Sequence, residues 1–346
     1  MRPPPQWTEP GAYPIADGVH RIPLPLPMDG LRAVNVYAID TDEGLVLIDG
    51  GWALEESRAL LESSLALIDY KVSDITRFLV THMHRDHYTQ AIAVRREFGS
   101  HVSLGIGDKA SLEMFQDSTV QANPYVAQLR KSGAPGLGEQ WRALMSDSSP
   151  DRDNLAMPDT WLDSDLTIGL GQRVIDAVST PGHTRGHYVF ADLEAGLLFA
   201  GDHVLPTITP SIGFEPAVAE LALGDFLGSL AKVRAMPDLT LLPAHGAVTS
   251  SVHNRVDELI AHHDERLALC LSAVESGLDS AYDVAAELPW TRHARSLKDL
   301  DVFNATLATM ETLAHLELLA AQERVTRSVD GEVVRFSAVA ASQSNL

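Results

Sequence analysis

Residues 81–87 read Thr-His-Met-His-Arg-Asp-His, so His82, His84 and His87 stand with Asp86 inside six positions. They follow the apolar run Phe78-Leu79-Val80, which has the character of a short strand. Imidazole nitrogens and carboxylate oxygens are ligands for divalent metals. Alternate residues of an extended loop cannot all point one way, so the set can serve two metals. Three further pieces lie downstream, each after an apolar run of β character. Pro181-Gly182-His183 follows 173–180, Gly201-Asp202-His203 follows 197–200, and Ala244-His245-Gly246 follows 239–243. Each piece alone is weak. Together they put a histidine or aspartate at four strand ends, where loops can converge on one site.

The elements that must position these residues are legible along the chain. Residues 1–18 are rich in Pro and Gly and are expected to be irregular. Strands are expected at Val19–Ile22, Val34–Ile39, Leu45–Asp49, Ile75–Val80 and His101–Leu104 from their apolar character and flanking turn residues. Trp52–Leu67 and Thr89–Phe98 read as helices between them. Strand character returns at Leu166–Ile168, Arg173–Ser179, Tyr188–Asp192, Leu197–Ala200 and Leu239–Pro243, with a helix over 224–236. Residues 108–160 form a helical insertion with pieces at 110–115, 125–130 and 139–145. It concentrates Met114, Phe115, Tyr125, Trp141 and Met145, which serve either as core or as the apolar wall of a lid. From 251 the chain reads as three helices and a hairpin about Asp330–Gly331, a winged-helix pattern. The expected domains are a catalytic domain over 19–250, a winged-helix-like domain over 251–340 and a frayed tail over 341–346.

The order His-x-His-x-Asp-His, then His, Asp and His, resembles the metallo-β-lactamase-fold hydrolase superfamily over about residues 19–250. The resemblance implies an α+β fold, an αββα sandwich with a two-metal site at one edge of its sheets. It implies one metal on His82, His84 and His183, and a second on Asp86, His87 and His245, with Asp202 bridging both. Imidazoles with few carboxylates suit two Zn2+ ions, and iron or manganese also fits. Two ions about 3.5–4 Å apart can hold a bridging water and lower its pKa to about 7. That gives a hydroxide nucleophile without a serine or cysteine. Asp86 would orient that water and shuttle its proton. Asp49 stands at the family's strand-end aspartate and would orient a ligand histidine. His203, beside Asp202, has a similar supporting role open to it, and His187 and Tyr188 stand between site and packing roles.

The second-site residues narrow the resemblance. The clinical zinc β-lactamases have Cys or Ser where this chain has Asp202. An aspartate there looks like the thioesterase, lactonase and RNA-processing branches, which disfavours antibiotic hydrolysis. The mononuclear iron sulfur-dioxygenase branch uses fewer ligands, and seven filled positions favour the binuclear hydrolases. Many relatives have Gly-Gly soon after the Asp-His pair; this chain has Tyr88-Thr89-Gln90. The helix start beside the pocket is therefore bulkier and more polar.

Composition closes off other classes. The 346 residues carry 26 Lys and Arg against 47 Asp and Glu, a net charge of −21. Such a chain repels polyanions. Residues 251–346 hold 8 basic against 15 acidic residues, a net of −7, although Arg324, Arg327 and Arg335 cluster at the hairpin. The C-terminal segment resembles the winged-helix extension of glyoxalase-II-like relatives, one branch of which is an endoribonuclease. Its charge favours a dimerisation or pocket-closing element over an RNA contact. Cys270 cannot form an internal disulfide, which fits a reducing compartment. It reads as a buried thiol, and His253, His262, His263, His293 and His315 read as surface or core residues. No apolar run reaches membrane-spanning length and no secretion signal is evident, so a cytoplasmic protein is expected. The expected function is a binuclear zinc hydrolase of a small acyl substrate: thioester, ester or lactone. A phosphodiesterase acting on RNA and a non-catalytic metal-binding scaffold are the alternatives. The expected partner is a small-molecule substrate. Nucleic acid and membrane are disfavoured, and a homodimer is left open.

Overall fold

A computed structural model describes residues 6–26, 30–117, 123–146, 152–291 and 293–339. The expected tail at 341–346 lies outside them. The first sheet runs in chain order through β1 (Tyr13–Ala16), β2 (Val19–Pro25), β3 (Ala33–Thr41), β4 (Gly44–Ile48), β5 (Ile75–Leu79), β6 (His101–Gly105) and β7 (Thr160–Leu162). The pairing is antiparallel from β1 to β4 and parallel from β4 to β7. Helices α1 (Glu55–Ala66) and α2 (Arg85–Phe98) connect the parallel strands β4, β5 and β6, as such connections require. The second sheet holds β8 (Leu166–Leu170), β9 (Arg173–Ser179), β10 (Tyr188–Asp192), β11 (Leu197–Gly201) and β12 (Thr240–Pro243), in the order β12-β11-β10-β9-β8.

Period-two alternation sorts the side chains between two cores. On β3, Val34, Val36 and Ala38 join Leu61 and Leu65 of α1 and Tyr88, Ile92 and Val94 of α2. Tyr37 and Ile39 of the same strand face the second sheet, where they meet Ile175, Phe190, Phe199 and Leu242. The Tyr37 and Phe199 rings pack edge to face at 5.3 Å. Helix α6 (Ala222–Ala235) lies between β11 and β12 in the chain. Its Ser229 hydroxyl donates to Pro181 O and its Lys232 ammonium to Ser179 O. The result is the expected α+β sandwich of two sheets with flanking helices.

Residues 1–18 are not irregular throughout. Tyr13–Ala16 adds an edge strand to β2. Pro14 misled the expectation, because proline is tolerated at an edge where its missing N–H breaks no ladder.

The described chain divides into two compact units. One comprises 1–117, 151–210 and 228–257; the other gathers 118–150, 211–227 and 258–346. The second contains α4 (Pro124–Lys131), α5 (Pro135–Leu144), α8 (Ala281–Glu287) and α9 (Val302–Ala321), while α3 (Lys109–Gln116) belongs to the first and α7 (Val252–Glu275) crosses the division. Trp141 lies in the second unit's own core, ringed by Tyr125, Phe214 and Phe303 at 5.5–5.8 Å. It is a core residue of that unit. The hairpin of β13 (Val325–Asp330) and β14 (Val333–Ala338) turns on Gly331–Glu332, one residue later than expected. Gly331 supplies the positive φ of 61° that this tight connection needs. No described helix is long and apolar enough to cross a membrane.

Candidate metal centre

Strand direction explains why the four motifs meet. The parallel strands β4, β5 and β6 deliver Asp49, the segment 81–87 and residues 106–108 to one edge of the first sheet. Strands β9 and β11 both run antiparallel to β10, and β12 runs parallel to β11. Their C-terminal ends therefore share one edge of the second sheet, where His183, Asp202 and His245 stand.

The 81–87 segment differs from the expected extended loop. Helix α2 begins at Arg85, with His84 as its N-cap at φ −58° and ψ 146°. His82 and His84 are thus on extended chain, while Asp86 and His87 occupy the helix's first turn. This change of backbone divides the ligand candidates into two groups. His82, His84, His183 and Asp202 form one, and Asp86, His87 and His245 the other. Within each, one ligand atom per residue lies within 4.8 Å of every other.

In the first group, His84 Nδ1 lies 2.9 Å from His82 Nε2 and 3.1 Å from His183 Nε2. In the second, His245 Nε2 is 3.4 Å from Asp86 Oδ2, and His87 Nε2 is 3.6 Å from the same oxygen. Asp202 reaches both groups. Its Oδ2 is 3.5 Å from His183 Nε2 and 3.7 Å from His87 Nε2, and its Oδ1 is 3.4 Å from His245 Nε2.

Hydrogen bonds behind the rings fix which nitrogen faces inward. The Ala33 carbonyl can only accept, so His245 donates to it from Nδ1 at 2.8 Å, which turns its Nε2 toward the centre. Asp49 Oδ2 takes His87 Nδ1 at 2.9 Å, with the same consequence for His87. Asp49 also accepts the Thr81 N–H at 2.8 Å and sits at a φ of 61°. The main-chain N–H of Asp202 donates to His187 Nε2 at 3.2 Å, and His187 Nδ1 is 2.9 Å from the Thr180 hydroxyl. His187 thereby holds the Asp202 turn from behind. Its ring also stacks on His82 at 5.1 Å. His203 is fully buried and lies beside His187 at 6.0 Å, outside both ligand groups. Tyr188 packs between the sheets and donates to Ser164 O.

Sequence reasoning passed over Asp108. Its Oδ2 accepts the Met83 N–H and its Oδ1 the Gly186 N–H, both at 2.8 Å. One buried carboxylate thus ties the His82–His84 loop to the His183 loop. The signal was Gly105-Ile106-Gly107-Asp108 at the end of β6, another strand end on the same edge. Backbones approach so closely here that a Cβ on Gly186 would stand 2.4 Å from Asp108 N.

The centre's electrostatics fit divalent cations. Burial, followed by the neighbouring His87, His84 and His183, holds His82 well below the usual imidazole value. Burial, then His183, brings His84 down to about 3. Burial also acts to lower His87 and His245, but Asp86 and Asp49 outweigh it at His87, and Asp202 and Asp86 at His245. His87 is raised well above the ordinary value, and His245 to about 10. Burial works against ionised Asp86 and Asp202, yet His87 and His245 keep both below the usual carboxylate range. Two buried carboxylates thus call for positive charge. His84 Nε2, His87 Nε2, His245 Nε2 and Asp202 Oδ1 are buried without a hydrogen-bond partner. Orphaned donor atoms of this kind around carboxylates are what a metal site leaves when its ions are removed.

These shifts predict a narrow stability window for the metal-free protein. Burial holds His82, His84, His187 and His203 neutral, with His84 and His203 at about 3. Below pH ~6.5 the unfolded chain binds protons that the folded chain refuses, so stability falls with falling pH. The slope is ~1.4 kcal/mol per pH unit for each such histidine. His87 and His245 have the opposite sign. Their contribution is present below pH ~6.5 and, for His245, is lost as pH rises through about 10. The chelated protein should therefore show its highest denaturation midpoint near pH 6.5. A midpoint that rises from pH 6.5 to pH 5 would contradict this assignment.

The metallo-beta-lactamase superfamily model matches residues 29–250, and the chain belongs to that superfamily. A probable metallo-hydrolase of Bacillus subtilis is 24% identical over 334 residues, covering 91% of this chain and 96% of that protein. A beta-lactamase-like protein 2 homolog of Caenorhabditis elegans is 23% identical over 83% of this chain and 82% of that protein. An atrochrysone carboxyl ACP thioesterase of Aspergillus fumigatus is 25% identical over 67% of this chain and 42% of its own length. Among solved structures, a metallo-beta-lactamase family protein of Thermus thermophilus superposes with a TM-score of 0.78 at 24% identity, over 94% of this chain and 99% of that one. A beta-lactamase domain protein of Burkholderia ambifaria gives 0.77 at 26% identity, over 95% and 93%. The chain is thus a hydrolytic enzyme of the metallo-hydrolase type, with His and Asp clusters that can bind divalent metal.

Proposed function

We propose that the chain is a binuclear zinc hydrolase of a small acyl substrate: a thioester, ester or lactone. One observation carries the binuclear reading: the Asp202 carboxylate stands between two imidazole groups, with Oδ2 toward His183 and Oδ1 toward His245. His82, His84 and His183 would hold one ion and Asp86, His87 and His245 the other, with Asp202 shared. When bound, the ions supply Lewis acidity toward a carbonyl and lower the pKa of a water to about 7.

The protein's own groups do the positioning. Asp49 and the Ala33 carbonyl aim His87 Nε2 and His245 Nε2 inward, and His187 fixes the turn bearing Asp202. Asp86 is the carboxylate on the open side, its side chain 17% exposed against 9% for Asp202. It can orient the attacking water and hold the proton that leaves it. Acyl chemistry is supported by an aspartate, not a cysteine or serine, at 202 and by the thioesterase among the relatives.

The test is a parallel screen of zinc-loaded protein on acyl-glutathione and acyl-CoA thioesters, lactones, p-nitrophenyl esters, bis-p-nitrophenyl phosphate, a short RNA and a cephalosporin. Turnover on acyl substrates is expected, with Asp86→Asn slower by about 10²–10⁴-fold, the range for one general acid–base group. Turnover on RNA or the phosphodiester alone overturns the acyl reading.

A further inference from the structure

The second unit contains a cluster of histidines that the metal centre does not use. His262 and His263 are successive residues of α7, and Glu311 and His315 stand one turn apart on α9. His263 and His315 are fully buried in a chain whose other tail histidines, His253 and His293, are not. One ligand atom each from His262, His263 and Glu311 lies within 4.8 Å of the others.

The hydrogen bonds fix the protonation of both buried rings. His315 Nδ1 is 2.7 Å from the Glu311 main-chain oxygen. A carbonyl only accepts, so Nδ1 carries the proton. Burial keeps the ring neutral, so its Nε2 is a lone pair. His263 Nδ1 lies 3.1 Å from that Nε2 and must donate to it. His263 Nε2 is then also a lone pair, and it is buried with no hydrogen-bond partner. An imidazole that donates from one nitrogen to a fixed acceptor and presents the other as a bare lone pair is the form that ligates a metal. The relay from the Glu311 carbonyl through His315 to His263 has no evident purpose in a purely apolar core, where a leucine would pack at lower cost.

We propose that His262, His263 and Glu311 form a further divalent-metal site, best matched to Zn2+, with His315 orienting His263 from behind. Two imidazoles and one carboxylate make a three-ligand set that leaves one tetrahedral position open. Zinc bonds of about 2.0–2.2 Å require donor atoms roughly 3.5 Å apart. Side-chain rotations of about an ångström bring a set within 4.8 Å to that spacing. Arg266 is the cation facing this cluster. It is engaged elsewhere, with its guanidinium 4.1 Å over the Trp290 ring and Nη1 donating to Pro289 O.

The experiment measures zinc per chain in the full-length protein after loading and desalting. Wild type is compared with Glu311→Gln and His262→Gln, and folding is checked by circular dichroism. Each variant should hold one zinc fewer than wild type while keeping hydrolase activity. In an Asp202→Ala background, zinc should still raise the melting temperature, and adding Glu311→Gln should abolish that rise. Should Glu311→Gln misfold, the half-buried His262→Gln decides. Equal zinc content in wild type and the folded variants overturns the proposal.

Discussion

Asp202→Ala should cost the enzyme most of its bound metal and lower kcat/KM by at least about 10³-fold. Among the described residues, the Asp202 carboxylate is the group that approaches both imidazole sets, at 3.5 Å from His183 and 3.4 Å from His245. Without it, His87 and His245 lose a principal source of the negative charge that holds them cationic in the absence of metal. Two buried imidazoles would then face only Asp86 and, for His87, Asp49. Loss of one polarising donor at a reacting oxygen costs ~10²–10³ in kcat, and here the variant weakens the hold on two ions together. Metal analysis and turnover on the best acyl substrate read the result. Asp202→Asn separates charge from shape, because it keeps the volume and one acceptor but removes the negative charge. It should resemble the alanine variant in metal content. If Asp202→Ala binds metal like the wild type, the shared-carboxylate assignment fails.

The residues of the centre were legible because metal ligation uses rare side chains at strand ends, and the order of the motifs survives in one dimension. His82, His84, Asp86, His87, His183, Asp202 and His245 are all brought together within the ligand groups. The split between the groups was legible only in part. An extended loop was expected, whereas the division arises where α2 begins at Arg85, four residues before the expected start at Thr89. Asp86 and His87 have no apolar periodicity to announce a helix, because their inward side is the metal centre. Strand β1 was hidden by Pro14 and β7 by its three-residue length. Trp141 was ambiguous because an aromatic residue in a helical insertion reads the same whether it lines a pocket or fills a core. Its partners Phe214 and Phe303 come from distant chain positions that no local pattern connects to it.

The supporting groups follow a single rule that sequence cannot display. Each inward nitrogen at His87 and His245 is set by an acceptor on the opposite side of the ring: a side-chain carboxylate in one case and the Ala33 carbonyl in the other. A main-chain carbonyl carries no residue identity. The second buried relay, through His315 to His263, also begins at a main-chain oxygen. His187 is a third instance in which a backbone group and an imidazole fix each other, and here the backbone is the donor.

Asp108 yields the second large expectation, because it is the point at which the two ligand-bearing loops are fastened together. Asp108→Ala should destabilise the protein by roughly 2–6 kcal/mol, since it strands the buried N–H groups of Met83 and Gly186 at about 1–3 kcal/mol each. That is a large share of a typical stability of about 5–15 kcal/mol. Metal affinity should fall by about 10–100-fold as well, the usual effect of removing a group that orients ligands. Met83 lies between His82 and His84, and Gly186 lies three residues after His183, so releasing either N–H frees a ligand loop. Burial pushes the Asp108 carboxyl up to about 6, against the opposing N–H bonds from Gly186 and Met83. Asp108→Asn should be intermediate, because one amide oxygen can serve only one of the two N–H groups well while the NH2 faces the other. A purely structural role would lower the melting temperature of both variants without changing metal affinity in the folded protein. The fastening role moves both quantities, in the order alanine, asparagine, wild type. Metal titrations well below each variant's melting temperature distinguish the two. Wild-type affinity in a folded Asp108→Ala protein would mean that the loops hold their positions without it.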